Sequence, residues 1–125
     1  MFKKDLIVLA VDDDIINLKL LKSMLKKNAN IKEVIEAKNG SDAIACLKSR
    51  DDIDLILLDI IMPIMGGIDM LKVVRADDNL KQLPIVVLTT DETKKVEALE
   101  CGANGFLMKP IRNEDLIKKI ATVIV

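Results

Sequence analysis

Asp12, Asp13, Asp59, Thr89 and Lys109 are the residues of this chain whose types could do chemistry together. Each stands just past a short apolar run. Asp12 and Asp13 follow LIVLAV, Asp59 follows LILL, Thr89 follows IVVL and Lys109 follows FLM. Carboxylates held close together repel, and each resists ionisation unless a cation intervenes. Carboxylate oxygens with a backbone carbonyl and waters suit a hard divalent cation, of which Mg²⁺ is the natural choice. A hydroxyl from Thr89 and the fixed charge of Lys109 would complete a receptacle for a phosphoryl group, with a carboxylate as the nucleophile. Asp59 is the central candidate: it ends an apolar run, and Met62-Pro63 and Gly66-Gly67 turn the chain beyond it. Alone, such an Asp would read as an ordinary strand terminus. Its company argues for function.

Composition removes other chemistries. The chain has no histidine, which excludes Ser-His-Asp and Cys-His catalysis, His-ligated zinc and a histidine phosphocarrier. Cys46 and Cys101 lack metal-type spacing and read as small buried hydrophobes. A formal charge of −1, with acids and bases interspersed, leaves no electrostatic footprint for nucleic acid. No apolar run approaches the ~18 residues of a membrane span, so no membrane partner is expected. Met1-Phe2-Lys3-Lys4 leads directly into a strand without a signal-peptide core and cleavage site, so a cytoplasmic location is expected. Half of the residues are hydrophobic and only two are aromatic, which predicts an aliphatic core.

The candidate residues need a scaffold that brings distant strand ends together. Strands are predicted at Asp5 to Val11, Ile31 to Ala37, Asp54 to Leu58, Ile85 to Leu88 and Phe106 to Met108. Between them, helical spacing marks a first helix from Ile15 to Lys27, with Ile15, Leu18, Leu20, Leu21, Met24 and Leu25 as apolar positions. Asp14 reads as its cap rather than as a metal ligand, and Asn17 as a solvated residue in its first turn. Ser41 is the predicted cap of a second helix that carries Ile44 and Leu47 and ends near Arg50. A third helix follows Gly66-Gly67 and bears Ile68, Met70, Leu71 and Val74. The fourth is capped by Thr90 or Asp91, with Val96 and Leu99 inward. The fifth starts at Asn113 and bears Leu116, Ile117, Ile120, Val123 and Ile124. Alternating strands and helices with short connections predict one α/β domain over residues 1–125, a parallel sheet with helices on both faces. In such a sheet all strand C-terminal ends share one edge, and a topological switch point opens a crevice there.

In these residues the chain resembles the response-regulator receiver domain, the kind of domain of which the bacterial chemotaxis protein consists. The resemblance covers the whole chain. It rests on the acidic pair Asp12-Asp13, on Asp59 followed by Met62-Pro63 and Gly67, on Thr89, on Phe106, and on Lys109-Pro110. It implies a doubly wound, flavodoxin-like (βα)5 fold with strand order 2-1-3-4-5. It further implies that Asp59 is the phosphoacceptor, charged from a phosphohistidine on a sensor histidine kinase or phosphotransfer protein. Asp13 and Asp59 would hold Mg²⁺ directly, with Asp12 helping directly or through water and the main-chain carbonyl of Ile61 contributing. Thr89 and Lys109 would hold the phosphoryl oxygens, the Lys109-Pro110 bond would be cis, and Phe106 would be the aromatic switch residue. An output domain or downstream effector would read the surface of the fourth helix, fifth strand and fifth helix.

Three departures from the family pattern stand out. Gly66-Gly67 replaces the frequent Asp-Gly, which predicts an altered helix start rather than lost chemistry. Ile61 is apolar where relatives carry polar side chains, and Phe106 lacks the hydroxyl of Tyr. The rival readings are weaker. An aspartyl-phosphate hydrolase needs an acid two residues after its nucleophile, where this chain has Ile61, so the chain is expected not to be an enzyme. A phosphorylation-independent binding module would not need all five site residues, and a flavin domain would need aromatic residues near the strand ends. The apolar ending Ala121 to Val125 points to a receiver cut from a longer chain.

Overall fold

A computed structural model of the chain describes residues 5–28, 30–62 and 64–124. Pro63 of the expected Met62-Pro63 turn lies outside the described residues, as do Met1 to Lys4. Five strands, β1 (Leu6–Val11), β2 (Ile31–Ala37), β3 (Leu55–Asp59), β4 (Ile85–Thr89) and β5 (Gly105–Met108), form one parallel sheet in the order β2-β1-β3-β4-β5. Five helices connect and follow them: α1 (Ile15–Lys26), α2 (Gly40–Ser49), α3 (Gly67–Ala76), α4 (Lys95–Glu100) and α5 (Asn113–Val123). A 3₁₀ turn, Glu92–Lys94, precedes α4. This is the doubly wound, flavodoxin-like architecture expected from the sequence.

The unbroken apolar runs follow from burial on both faces. Along β1, Ile7, Leu9 and Val11 join the core layer under α2, α3 and α4, while Leu6, Val8 and Ala10 join the layer under α1 and α5. Every residue of β3 and β4 is buried. Each large aliphatic side chain removed from water there contributes about 1.5–3 kcal/mol, so truncating Leu57 would cost about 2–5 kcal/mol. The register then aligns the strand ends: Val11 pairs with Leu58, Asp59 with Leu88, and Thr89 with Met108.

Four local expectations are corrected. Val96 and Leu99 face out, at 64% and 42% exposure, and the inward residue of α4 is Ala98. The 3₁₀ turn takes up Glu92–Lys94, α4 is six residues long, and Ala98 is the residue of it that is buried. In α1, Leu18, Leu21 and Leu25 form the buried stripe, whereas Ile15 and Leu20 are exposed because a helix docked on a sheet buries one face. Asn39, not Ser41, caps α2: its side-chain oxygen accepts from the Asp42 N–H at 2.8 Å. Asn17 is half-buried rather than solvated, because the first turn of α1 leans over the cleft beside Asp12 and Lys109.

Candidate functional site

The C-terminal edge of the sheet brings together Asp12, Asp13, Asp59, Thr89 and Lys109. β1 ends one residue before Asp12, and Asp14 then caps α1 by accepting from the N–H groups of Ile16 and Asn17. That cap turns the chain tightly, and the Asp14 N–H donates to Asp12 Oδ1 at 2.9 Å. Asp59 is the last residue of β3 and is buried. α3 starts very close to it. A Cβ on Gly67 would overlap the Asp59 carbonyl oxygen and crowd Ile60 Cα, so only glycine fits there. Gly66, at the cap position of α3, offers no side-chain cap, in line with the departure noted in the sequence.

Lys109 arrives from β5. Its N–H donates to the Thr89 carbonyl at 2.8 Å, which seats the two residues side by side, and the Lys109-Pro110 peptide is cis. The Lys109 ammonium donates to Asp12 Oδ2 at 2.8 Å and to Asp59 Oδ1 at 3.4 Å. One carboxylate oxygen from each of Asp12, Asp13 and Asp59 lies within 4.8 Å of the others. Asp12 and Asp59 are buried while Asp13 is exposed, so the cluster opens to solvent on the Asp13 side. Carboxylates this close suit a shared divalent cation.

The electrostatics follow from burial. Asp59 is pushed up to about 6, first by burial and then by the charges of Asp12 and Asp13, against the pull of Lys109. Burial alone would lower the Lys109 ammonium, but its hydrogen bond to Asp12 and the charges of Asp59 and Asp12 outweigh that and raise it. One ammonium thus serves two buried acids and leaves a third beside them. The site holds surplus negative charge.

The hydroxyl of Thr89 is buried and accepts from the Asp91 N–H at 3.1 Å. Asp91 in turn accepts from the Thr93 N–H at 3.0 Å and from the Thr93 hydroxyl, capping the 3₁₀ turn before α4. The link from Thr89 to Asp91 spans two residues, a local turn in which a Thr hydroxyl accepts from the N–H two positions on. Phe106 is half-buried against the core layer under α2, α3 and α4. Ile61 is 61% exposed beside the cluster. Three residues on, Ile64 is 82% exposed with φ of 68°. A β-branched residue in that region is strained.

A doubly wound α/β domain with an acid-and-lysine cleft at its switch point is the class that fold and site define. The response regulator receiver domain model matches residues 8–121, and the chain belongs to that family of two-component signalling. It is 33% identical over 119 residues to the chemotaxis protein CheY1 of Helicobacter pylori, covering 94% of this chain and 95% of that one. Among solved structures, chemotaxis protein CheY4 of Vibrio cholerae is 36% identical, with a TM-score of 0.86 over 95% of this chain and 98% of that one. The receiver domain of the Pseudomonas aeruginosa sensor histidine kinase PA1611, solved with a magnesium ion in its active-site cleft, shares the fold. It has a TM-score of 0.85 at 24% identity, covering 96% of this chain and 98% of its own.

Proposed function

We propose that Asp59 accepts a phosphoryl group from a phosphohistidine of a sensor histidine kinase or phosphotransfer protein, and that this controls an output domain or downstream effector protein. The observation that carries the reading is the convergence of three carboxylates and one ammonium on the end of β3. An Asp59 oxygen attacks phosphorus as the nitrogen–phosphorus bond of the donor breaks. The departing imidazole keeps the electron pair as a neutral ring when its other nitrogen carries a proton. The Lys109 ammonium and the Thr89 hydroxyl donate to the phosphoryl oxygens. Asp12, Asp13 and Asp59 have the donor chemistry and proximity to hold Mg²⁺, with the Ile61 carbonyl. The ion would supply positive charge against both the carboxylates and the phosphoryl oxygens.

The chain acts on itself and is not a turnover enzyme, since Ile61 offers no acid for a leaving group. Drawing Thr89 toward a phosphoryl oxygen, to which its hydroxyl donates, strains the bond that the same hydroxyl accepts from the Asp91 N–H and loosens the 3₁₀ turn leading into α4. Phe106 fills space that Thr89 vacates. The readout surface is then α4, β5 and α5, where Val96, Leu99 and Met108 are exposed apolar contacts. A ligand shifts such an equilibrium only by its differential stabilisation of the active state, so the unphosphorylated chain samples that state as well. Phe106 has no hydroxyl to anchor either position, which narrows the gap.

Intact mass after treatment with acetyl phosphate and Mg²⁺ tests the proposal. The wild type is expected to gain one phosphoryl group and Asp59→Asn none; a phosphorylated Asp59→Asn protein would overturn it. With beryllofluoride as the phosphoryl mimic, side-chain NMR shifts are expected to concentrate on α4, β5 and α5. Shifts confined to α1 and α2, with Phe106 undisturbed, would sink the proposed coupling.

A further inference from the structure

The connection from α4 to β5 is held by a residue outside the site. Arg75, in the last turn of α3, donates from Nε to the Gly102 carbonyl at 2.9 Å. Its two terminal nitrogens donate to the Lys81 carbonyl and to Asn104 Oδ1, each at 2.9 Å. Asn104 is itself tied to β4: Oδ1 also accepts from the Ile85 N–H at 2.8 Å, and the Asn104 N–H donates to the Ile85 carbonyl at 2.8 Å. Gly102 has φ of 108°, and a Cβ there would meet the Arg75 side chain at 2.8 Å. The guanidinium is half-buried and, among the described residues, makes no ion pair, so three neutral oxygens meet its charge. Burying a cation is costly unless its hydrogen bonds are satisfied. All three bonds join α3 to the segments on either side of β4.

The other end of α4 is held differently. There the Asp91 N–H donates to the Thr89 hydroxyl, the group that would move to donate its own proton to a phosphoryl oxygen. Between the two ends α4 buries only Ala98. One attachment is therefore releasable by the site and the other is independent of it. We infer that Arg75 is the fixed pivot of the switch surface: it pins the Gly102–Asn104 turn, so that rearrangement begun at Thr89 swings the N-terminal end of α4 about this turn without displacing the turn itself. This deepens the phosphoacceptor reading and rests on it for the part played by Thr89.

Amide hydrogen exchange on the whole chain with Mg²⁺, with and without beryllofluoride, tests the pivot. In the wild type, beryllofluoride should alter exchange over residues 90–97 and leave 101–104 unchanged. Arg75→Lys keeps the charge but loses the three-way fork. Without ligand it should speed exchange over 101–104 by about tenfold, the effect of one lost charge-assisted hydrogen bond. With beryllofluoride, its 101–104 segment should respond too. Asn104→Ala, which removes one acceptor, should act in the same direction. Exchange in β1 and α1 should not move in either variant; if it rises in step, Arg75 is a general stabiliser and the pivot is wrong. The pivot is equally wrong if 101–104 responds in the wild type as strongly as 90–97, or stays protected in both variants. If beryllofluoride changes nothing around Asp59 and Thr89 in the wild type, the phosphoacceptor reading fails. The unliganded comparison of the variants still decides the clamp.

Discussion

Each edge of the sheet carries one cation between two acids, and the two arrangements differ in kind. At the N-terminal edge Arg50 donates to both carboxylate oxygens of Glu33 at 3.1 Å and to both of Asp52 at 2.8 and 2.9 Å. These groups lie toward the surface. Hydrogen bonds to Arg50 hold both carboxyls below the usual range, and the same bonds raise the guanidinium. At the C-terminal edge Lys109 stands between Asp12 and Asp59, both buried, with Asp13 beside them. There burial raises Asp59 instead of lowering it. The first network is satisfied and solvent-screened, and such networks add little stability. The second is short of positive charge. Cavity size does not distinguish them: the larger cavity, about 710 Å³, lies at the Arg50 edge among Leu47, Ile53, Asp77 and Leu80. What marks the functional edge is uncompensated charge held at a strand end.

The largest effect should come from removing the buried cation. Lys109→Ala leaves two buried acids without their ammonium and should destabilise the metal-free protein by about 3–5 kcal/mol at pH 7.5. Denaturant titration reads this, and a loss no larger than that of Arg50→Ala would erase the contrast between the edges.

Asp59→Asn should do the opposite. The Asp59 carboxyl is raised from 3.8 to about 6 in the fold, so its ionised form is disfavoured there relative to the unfolded chain. Its contribution is fully present below pH ~3.8, is lost as pH rises through about 6, and leaves a penalty above that. The metal-free variant should thus exceed the wild type by about 2–3 kcal/mol at pH 7.5, with the advantage vanishing toward pH 4. A pH-independent difference would refute the burial argument. Millimolar Mg²⁺ should raise the melting temperature of the wild type by mass action, and Asp13→Ala should remove most of that gain. Indifference to Mg²⁺ in both proteins would dismiss the metal site.

A kinetic effect of middling size is expected at Ile61. Water needs a hydrogen-bonding group to hold it in line behind phosphorus, and Ile61 has none. Asp91, the other nearby candidate, holds Thr93 through Oδ1, which ties its carboxylate to the turn before α4. The aspartyl phosphate should accordingly be long-lived, and Ile61→Asn should shorten its lifetime. A rate unchanged or slower in the variant would remove Ile61 from the account.

The smallest effect should be at the satisfied edge. Arg50→Ala should move the denaturation midpoint least of all these variants, and its effect should shrink further in high salt.

The order of elements, the strand ends and the five residues standing on them were legible in the sequence. Apolar runs of three to six residues, each ending in Asp, Thr or Lys, carry that information locally, and a parallel sheet puts all their C-terminal ends on one edge. The Asp14 cap was legible for the same reason, since it reaches only as far as Asn17. The inward face of α4 was not. Its apolar Val96 and Leu99 point outward while Ala98 is buried, and which face of so short a helix docks is decided by tertiary packing. Nor could Asn39 be separated from Ser41 as a cap, because either oxygen suits the role and the seating of Gly40 against Met65 decided it. The pairing of Lys109 with Asp12, across 97 positions, and the Arg75 clamp on Gly102 and Asn104 came from tertiary structure alone. Side-chain hydrogen bonds between distant segments leave no period in the chain. They are set where the packed sheet brings its edges and turns within 3 Å of one another.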